Sequence, residues 1–135
     1  MVYVCRLPAQ QRPLLNKFYK AQGSAMRAPN AGSCWVARAP HVVAGMSLQP
    51  VADGGQWLTG LWVAAEHRGA GVARSVVAHG CDGAGPVWLF CQPGLQGFYE
   101  RLGFTVALTL PETLQGRLAR YSRSKRLVAM CIGVG

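Results

Sequence analysis

Val63-Ala64-Ala65-Glu66-His67-Arg68-Gly69-Ala70-Gly71-Val72-Ala73-Arg74 is the stretch on which the reading of this chain turns. Ahead of it, Trp57 to Val63 is an apolar run with the bulky side chains of a strand. At its end begins a helical pattern, with Val72, Ala73, Val76 and Val77 on one side. Two glycines make the joint. Such a joint leaves backbone N–H groups without partners at the positive end of a helix. An anionic phosphate is stabilised there.

Outward from this joint the chain reads as alternating strands and helices. On the N-terminal side, Val2 to Cys5 is a first strand and Pro8 to Lys20 a helix with Leu14, Leu15, Phe18 and Tyr19 on one face. Gln22 to Ser33, rich in Gly, Ala, Pro and Asn, is loop or short helix. Cys34 to Arg38 and His41 to Leu48 are strands joined at Ala39-Pro40, and Asp53-Gly54-Gly55 turns the chain into Gln56 to Val63. On the C-terminal side, Gly80 is the expected stop of the central helix. A buried strand, Val87 to Cys91, follows. Leu95, Phe98, Tyr99 and Leu102 then recur at helical spacing, Gly103 ends that helix, and Phe104 to Val106 returns as strand. Pro111 opens a last helix with Leu114, Leu118 and Tyr121, and Leu127 to Ile132 closes the chain as a strand. The order is mixed α/β, an antiparallel meander followed by a βαβ unit.

A length of 135 residues is that of one domain, spanning 1–135, with room for a sizeable core. Half of the residues are hydrophobic and 14% are charged, which excludes a disordered chain. The 14 Lys and Arg against 5 Asp and Glu favour anionic partners without choosing among phosphates, nucleic acid and acidic surfaces. Cys5, Cys34, Cys81, Cys91 and Cys131 are odd in number and contain no Cys-x-x-Cys pair, so neither a disulfide framework nor a zinc site is expected. Reduced thiols, the lack of a long apolar core between Met1 and Pro8, and the lack of a run near ~20 apolar residues point to a cytoplasmic protein without a membrane span.

Three phosphate-binding patterns compete for the joint. A P-loop needs Gly-x-x-x-x-Gly-Lys-Ser/Thr, which does not occur. A dinucleotide fold needs a third glycine, where Arg74 stands, and a carboxylate about 20 positions on, which is missing. The third is Arg/Gln-x-x-Gly-x-Gly/Ala, matched from Arg68 to Ala73. Its glycines let a diphosphate approach the backbone amides with no Cβ in the way, and Arg68 and Arg74 add positive charge. A plain tight turn is the architectural alternative.

The second informative segment is Gln92-Pro93-Gly94-Leu95-Gln96-Gly97-Phe98-Tyr99-Glu100-Arg101-Leu102-Gly103-Phe104. With the first, and in the same order, it resembles the paired motifs of the GNAT family of N-acetyltransferases. The resemblance covers Leu58 to Val106. It implies a single-domain acyl-CoA N-acyltransferase fold, a mixed and mostly antiparallel sheet flanked by helices. It also implies acetyl-CoA as co-substrate, no metal, and an amine as acceptor.

By this resemblance, the diphosphate is held by Arg68, Gly69, Ala70, Gly71, Val72, Ala73 and Arg74. The pantetheine arm pairs with the strand backbone at Leu61, Trp62 and Val63, beside a disruption for which Gly60 is the natural place. A strand N–H faces the acetyl carbonyl. Tyr99 matches the tyrosine that protonates the departing thiolate, a role suited to a phenol of ordinary pKa near ~10. The architectural alternative for Tyr99 is a core position on an amphipathic helix.

The chain departs from the family pattern twice. Gln92 stands where many members have Asn, so its contact with pantetheine is an open expectation. The strand Gln56 to Trp62 lacks the glutamate that many members use as base. Glu66 lies after the strand and reads as a surface residue. Deprotonation of the amine is left to water, to His41 or His79, or to free solution. No cysteine falls on a motif position, so no acyl-enzyme is expected.

Of the four tryptophans, Trp35, Trp57, Trp62 and Trp88, most read as core and one or two as lining for an acceptor pocket. Arg117, Arg120, Arg123, Lys125 and Arg126 read as a solvated face, with attraction of an acidic acceptor, an adenosine phosphate or nucleic acid as the sharper alternative. The sequence therefore predicts acetyl transfer to a primary amine, small or peptidic, by direct attack in a ternary complex. Nucleic acid and membrane are not expected as partners, and a homodimer is compatible with the reading. A non-catalytic acyl-CoA-binding regulatory domain is the alternative, and a basic nucleic-acid-binding module a more distant one.

Overall fold

The apolar periods of the sequence become seven strands and four helices among the described residues, 2–133, of the computed structural model. The strands are β1 (Tyr3–Leu7), β2 (Ser33–Arg38), β3 (Val42–Pro50), β4 (Gln56–Val63), β5 (Val87–Cys91), β6 (Thr105–Val106) and β7 (Val128–Ile132). The helices are α1 (Arg12–Ala21), α2 (Val72–Cys81), α3 (Gln96–Arg101) and α4 (Glu112–Tyr121). The sheet order is β1-β2-β3-β4-β5-β7-β6. β1 with β2, β2 with β3, β5 with β7 and β6 with β7 are antiparallel, and β4 with β5 is parallel. This is the mixed, mostly antiparallel α/β fold expected from the sequence.

The chain forms two compact units. One comprises Met1–Gln49 and Leu58–Asp82, the other Pro50–Trp57 and Gly83–Gly135. In the first, the period-2 alternation of β2 and β3 serves two helices at once. Val36 pairs with Gly45, and Leu15 of α1 occupies the space where a Cβ of Gly45 would lie. Trp35 pairs with Met46, and both approach the place of a Cβ on Gly80 of α2. Paired residues point to one face and their neighbours to the other, so α1 and α2 cover opposite faces of this part of the sheet. Leu15, Val36, Ala44, Met46 and Val76 are fully buried between them.

Gly80 is thus not the stop that the sequence suggested. It is a buried position inside α2, where a small residue lets the helix approach Met46 and Trp35. The chain breaks after Cys81, and Gly83 takes a positive φ of 69°. The first helix also begins later than expected. Ala9–Gln11 forms a single tight turn and α1 starts at Arg12, with Pro13 in its first turn, where a missing N–H costs nothing.

In the second unit, Val51, Trp57, Trp88, Leu114 and Cys131 form one buried cluster, with Phe90, Ala107 and Leu110 packed against it. α4 supplies Leu114. Phe90 meets Trp57 edge-on, with ring centroids 4.5 Å apart. Trp57 and Trp88 are core as expected, whereas Trp35 and Trp62 are half-buried.

Candidate active site

The glycine joint is built from the end of β4 outward. Ala64 N–H donates to the Val43 carbonyl at 2.8 Å, which ties the strand end to β3. Ala65–His67 then forms a single tight turn. Gly69 and Gly71 follow at φ of 80° and 79°, in the left-handed region. At both positions, nothing lies within 4 Å of the place a Cβ would take. Gly71 caps α2, and its carbonyl accepts the first helical bond, from Ser75 N–H at 3.1 Å. The amides of Val72 and Ala73, ahead of Ser75, have no acceptor within the helix. They lie directly after the two glycines, at the start of α2. No acidic side chain occupies the first turn of α2, and Glu66 is exposed.

Arg68 has a more definite task than the added charge expected of it. Its Nε donates to the carbonyl of Val63 at 2.9 Å, and its guanidinium lies over the Trp62 ring, 5.0 Å from the centroid. The side chain braces the turn against the strand that enters it.

β4 is irregular where the sequence placed a disruption. Gly60 has φ of 70° inside the strand, and Tyr19 Oη donates to its carbonyl at 2.6 Å. Two residues on, Trp62 Nε1 donates to Gln22 Oε1 at 3.4 Å. The parallel register of β4 with β5 spans Gln56↔Val87 and Trp57↔Trp88. Leu61 and Trp62 are half-buried and Val63 is buried. Tyr19 and Gln22 went unrecognised in the sequence. Their partners lie 41 and 40 residues away, and Tyr19 carried only the signal of an apolar helix face.

In the second unit, Gln92 is exposed. Its carbonyl accepts from Leu95 N–H at 2.8 Å to make the tight turn Pro93–Leu95, and its side chain takes no part in capping. α3 follows and ends in a Schellman cap. Gly103 N–H donates to the Glu100 carbonyl at 3.0 Å and Phe104 N–H to the Tyr99 carbonyl at 3.1 Å, with Gly103 at φ of 101°. Phe104 therefore belongs to the cap, and β6 begins one residue later than expected.

The same cap places Tyr99. Its ring sits between two edges, with centroids 5.0 Å from Phe98 and 5.9 Å from Phe104. Burial, and next the thiol of Cys91, push the phenol up to about 12. It stays protonated throughout the neutral range.

His41 and His79 are exposed, and His79 Nδ1 donates to the Ser75 carbonyl at 2.7 Å. Of the basic cluster, Arg120, Arg123, Lys125 and Arg126 are exposed, while Arg117 lies over the Trp57 ring at 5.3 Å. All five cysteines are free thiols, and burial raises the pKa of Cys81 to about 11. No helix among the described residues is long and apolar enough to cross a membrane.

One unit thus gathers Leu61, Trp62, Val63, Arg68, Gly69, Ala70, Gly71, Val72, Ala73 and Arg74, and the other holds Gln92 and Tyr99.

Known proteins agree with this architecture. Residues 30–106, more than half of the chain, match the model of the acetyltransferase (GNAT) domain family. No curated protein matches the sequence. Among solved structures, Escherichia coli ElaA superposes with a TM-score of 0.68 at 16% identity, over 97% of this chain and 99% of that one. The ribosomal-protein-S18-alanine N-acetyltransferase of Escherichia coli gives 0.66 at 18%, over 98% and 93%. The N-acetylglutamate synthase of Neisseria gonorrhoeae, solved with coenzyme A and N-acetyl-glutamate, gives 0.71 at 16%, over 97% of this chain and 34% of that one. At such identities the likeness is one of fold, and with the family match and the two motifs it leads to one conclusion: the chain belongs to the GNAT family of acetyltransferases, enzymes of the acyltransferase class.

Proposed function

We propose that the protein transfers the acetyl group of acetyl-CoA to a primary amine by direct attack in a ternary complex. The observation that carries this reading is the cradle at Gly69 and Gly71, left-handed, with open space where each Cβ would stand, directly before the first turn of α2. A diphosphate fits that chemistry, because the amides offer donors and the helix end a partial positive charge. Gly69 to Arg74 hold the diphosphate, and Arg68 keeps their turn against β4. The backbone of Leu61, Trp62 and Val63 takes the pantetheine arm. The left-handed φ of Gly60 inside the strand supports this assignment. Gln92 is a polar group offered at the start of the tight turn Pro93–Leu95, ahead of α3.

In the reaction, the amine nitrogen attacks the acetyl carbon, a C–N bond forms and the C–S bond breaks. A strand N–H stabilises the oxyanion, and positioning supplies much of the remaining acceleration. Tyr99 donates to the sulfur as charge develops there. With the phenol at about 12 and a free thiol near ~8.5, the proton stays nearer the phenol oxygen. Solvent then completes the thiol and accepts the proton lost by the amine. No carboxylate lies on β4, so the amine enters neutral or loses its proton through water. The acceptor is a small-molecule or peptide amine. The setting is a reducing cytoplasm, in keeping with five free thiols.

Calorimetry with acetyl-CoA, followed by thiol release over a panel of amines, tests the reading. Saturable binding with turnover of at least one amine supports it. Binding without turnover of any amine would favour the regulatory domain, for which the bare β4 strand is the one supporting observation. No binding would reject both.

A further inference from the structure

Among the described residues, Tyr19 is a buried hydroxyl that reaches into β4. Its side chain is 1% exposed, and its Oη donates to the Gly60 carbonyl at 2.6 Å. The geometry is exclusive. A Cβ on Gly60 would lie 2.6 Å from that same oxygen, and Gly60 already holds a φ of 70° that other residues rarely adopt. The second contact from the end of α1, Trp62 to Gln22, falls two residues further along the strand. The two contacts bracket Leu61.

The carbonyl of Gly60 and the N–H of Leu61 belong to one peptide plane. In a trans peptide the two bonds point in opposite directions, and the plane turns as a unit. A hydrogen bond that fixes the carbonyl therefore fixes the direction of the Leu61 N–H. We infer that Tyr19 is a positioning residue that orients the Leu61 N–H toward the acetyl carbonyl, an inference that rests on the acetyl-transfer reading above. Burial, and next Cys34, raise the Tyr19 phenol well above its ordinary range, so the hydroxyl keeps its proton through the neutral range. Tyr19 touches no substrate atom in this account. It acts through the peptide plane.

The test compares the wild type with Tyr19→Phe, Gly60→Ala and the double variant. It reads kcat, the Kd of desacetyl coenzyme A, the thermal midpoint, and amide exchange at Leu61. Loss of one oxyanion donor costs 10²–10³ in rate, and a misdirected one less, so kcat of Tyr19→Phe should fall about tenfold. The Kd of desacetyl coenzyme A, which carries no acetyl carbonyl, should stay within about twofold, and Leu61 exchange should quicken. Gly60→Ala should lower kcat by pushing the hydroxyl away, and the double variant should lose less than the product of the two losses. A lower thermal midpoint with kcat and Leu61 exchange unchanged at 25 °C would reduce Tyr19 to a structural residue and overturn the inference. A wild type that neither binds nor turns over would instead remove the acetyl-transfer reading, an outcome seen in the wild-type arm alone.

Discussion

The N–H of Phe104 donates to the carbonyl of Tyr99 at 3.1 Å, and the ring of Phe104 meets the ring of Tyr99 edge-on at 5.9 Å. One residue thus ends α3 and holds the proposed acid. Phe-Tyr-x-x-Leu-Gly-Phe is, in physical terms, a helix terminus whose cap carries a tyrosine. Gly103 makes the cap possible through its φ of 101°, and a Cβ there would stand 3.2 Å from Ile132 Cδ1.

Gly103→Ala should therefore cost both stability and rate. A left-handed alanine is worse by about 1–2 kcal/mol. That corresponds to a fall of several degrees in the thermal midpoint of a chain this size, readable by calorimetry. The same change shifts Tyr99, so kcat should fall while acetyl-CoA affinity holds within about threefold. Asn at this position should recover part of the loss, because it tolerates the left-handed region better than Ala.

Tyr99→Phe isolates the hydroxyl. General-acid groups contribute about 10²-fold at the least, and one that shares rather than transfers its proton contributes less, so a loss of about 10- to 100-fold in kcat is expected. Coenzyme affinity should change little. The pH dependence has a definite sign. The folded phenol lies at about 12 and the unfolded one near ~10, so the native state disfavours ionisation. Its stabilising effect is complete below pH ~10 and is lost as the pH rises toward about 12. Tyr99 should cause no loss of activity below that window, and a limb at lower pH that vanishes in Tyr99→Phe would contradict the assignment.

Arg68 poses a choice between a brace and a charge. As a brace, it needs Nε on the Val63 carbonyl and a flat guanidinium over Trp62 together, which a lysine cannot supply. Arg68→Lys and Arg68→Ala should then both weaken acetyl-CoA binding, the alanine variant by about tenfold from one hydrogen bond and one exposed cation–π contact. A simple screening charge would be restored by lysine. Calorimetry of the two variants at low and moderate salt distinguishes the cases.

The elements that could be read from the sequence are those decided locally. The β4–α2 joint announces itself because apolar strand, glycines and helix follow one another within a few turns. The α3 helix and its end at Gly103 were equally plain, since Leu95, Phe98, Tyr99 and Leu102 share one face. What remained hidden depends on partners far along the chain. Gly80 looks like a helix stop until Met46 and Trp35 are seen to need its missing Cβ. Tyr19 looks like any apolar helix position until Gly60 is found beneath its hydroxyl. Arg68 reads as a phosphate-binding charge in the motif, whereas its side chain folds back on the strand five residues earlier.

The central claim is that the Gly69–Gly71 cradle binds acetyl-CoA for transfer to an amine. Isothermal titration of the purified protein with acetyl-CoA tests it most directly, with Gly71→Val as the paired control. The account predicts one saturable site in the wild type, and a Kd weakened by tenfold or more in the variant, whose side chain would fill the cradle and resist a φ of 79°. No saturable heat in the wild type, or equal affinity in Gly71→Val, would contradict it.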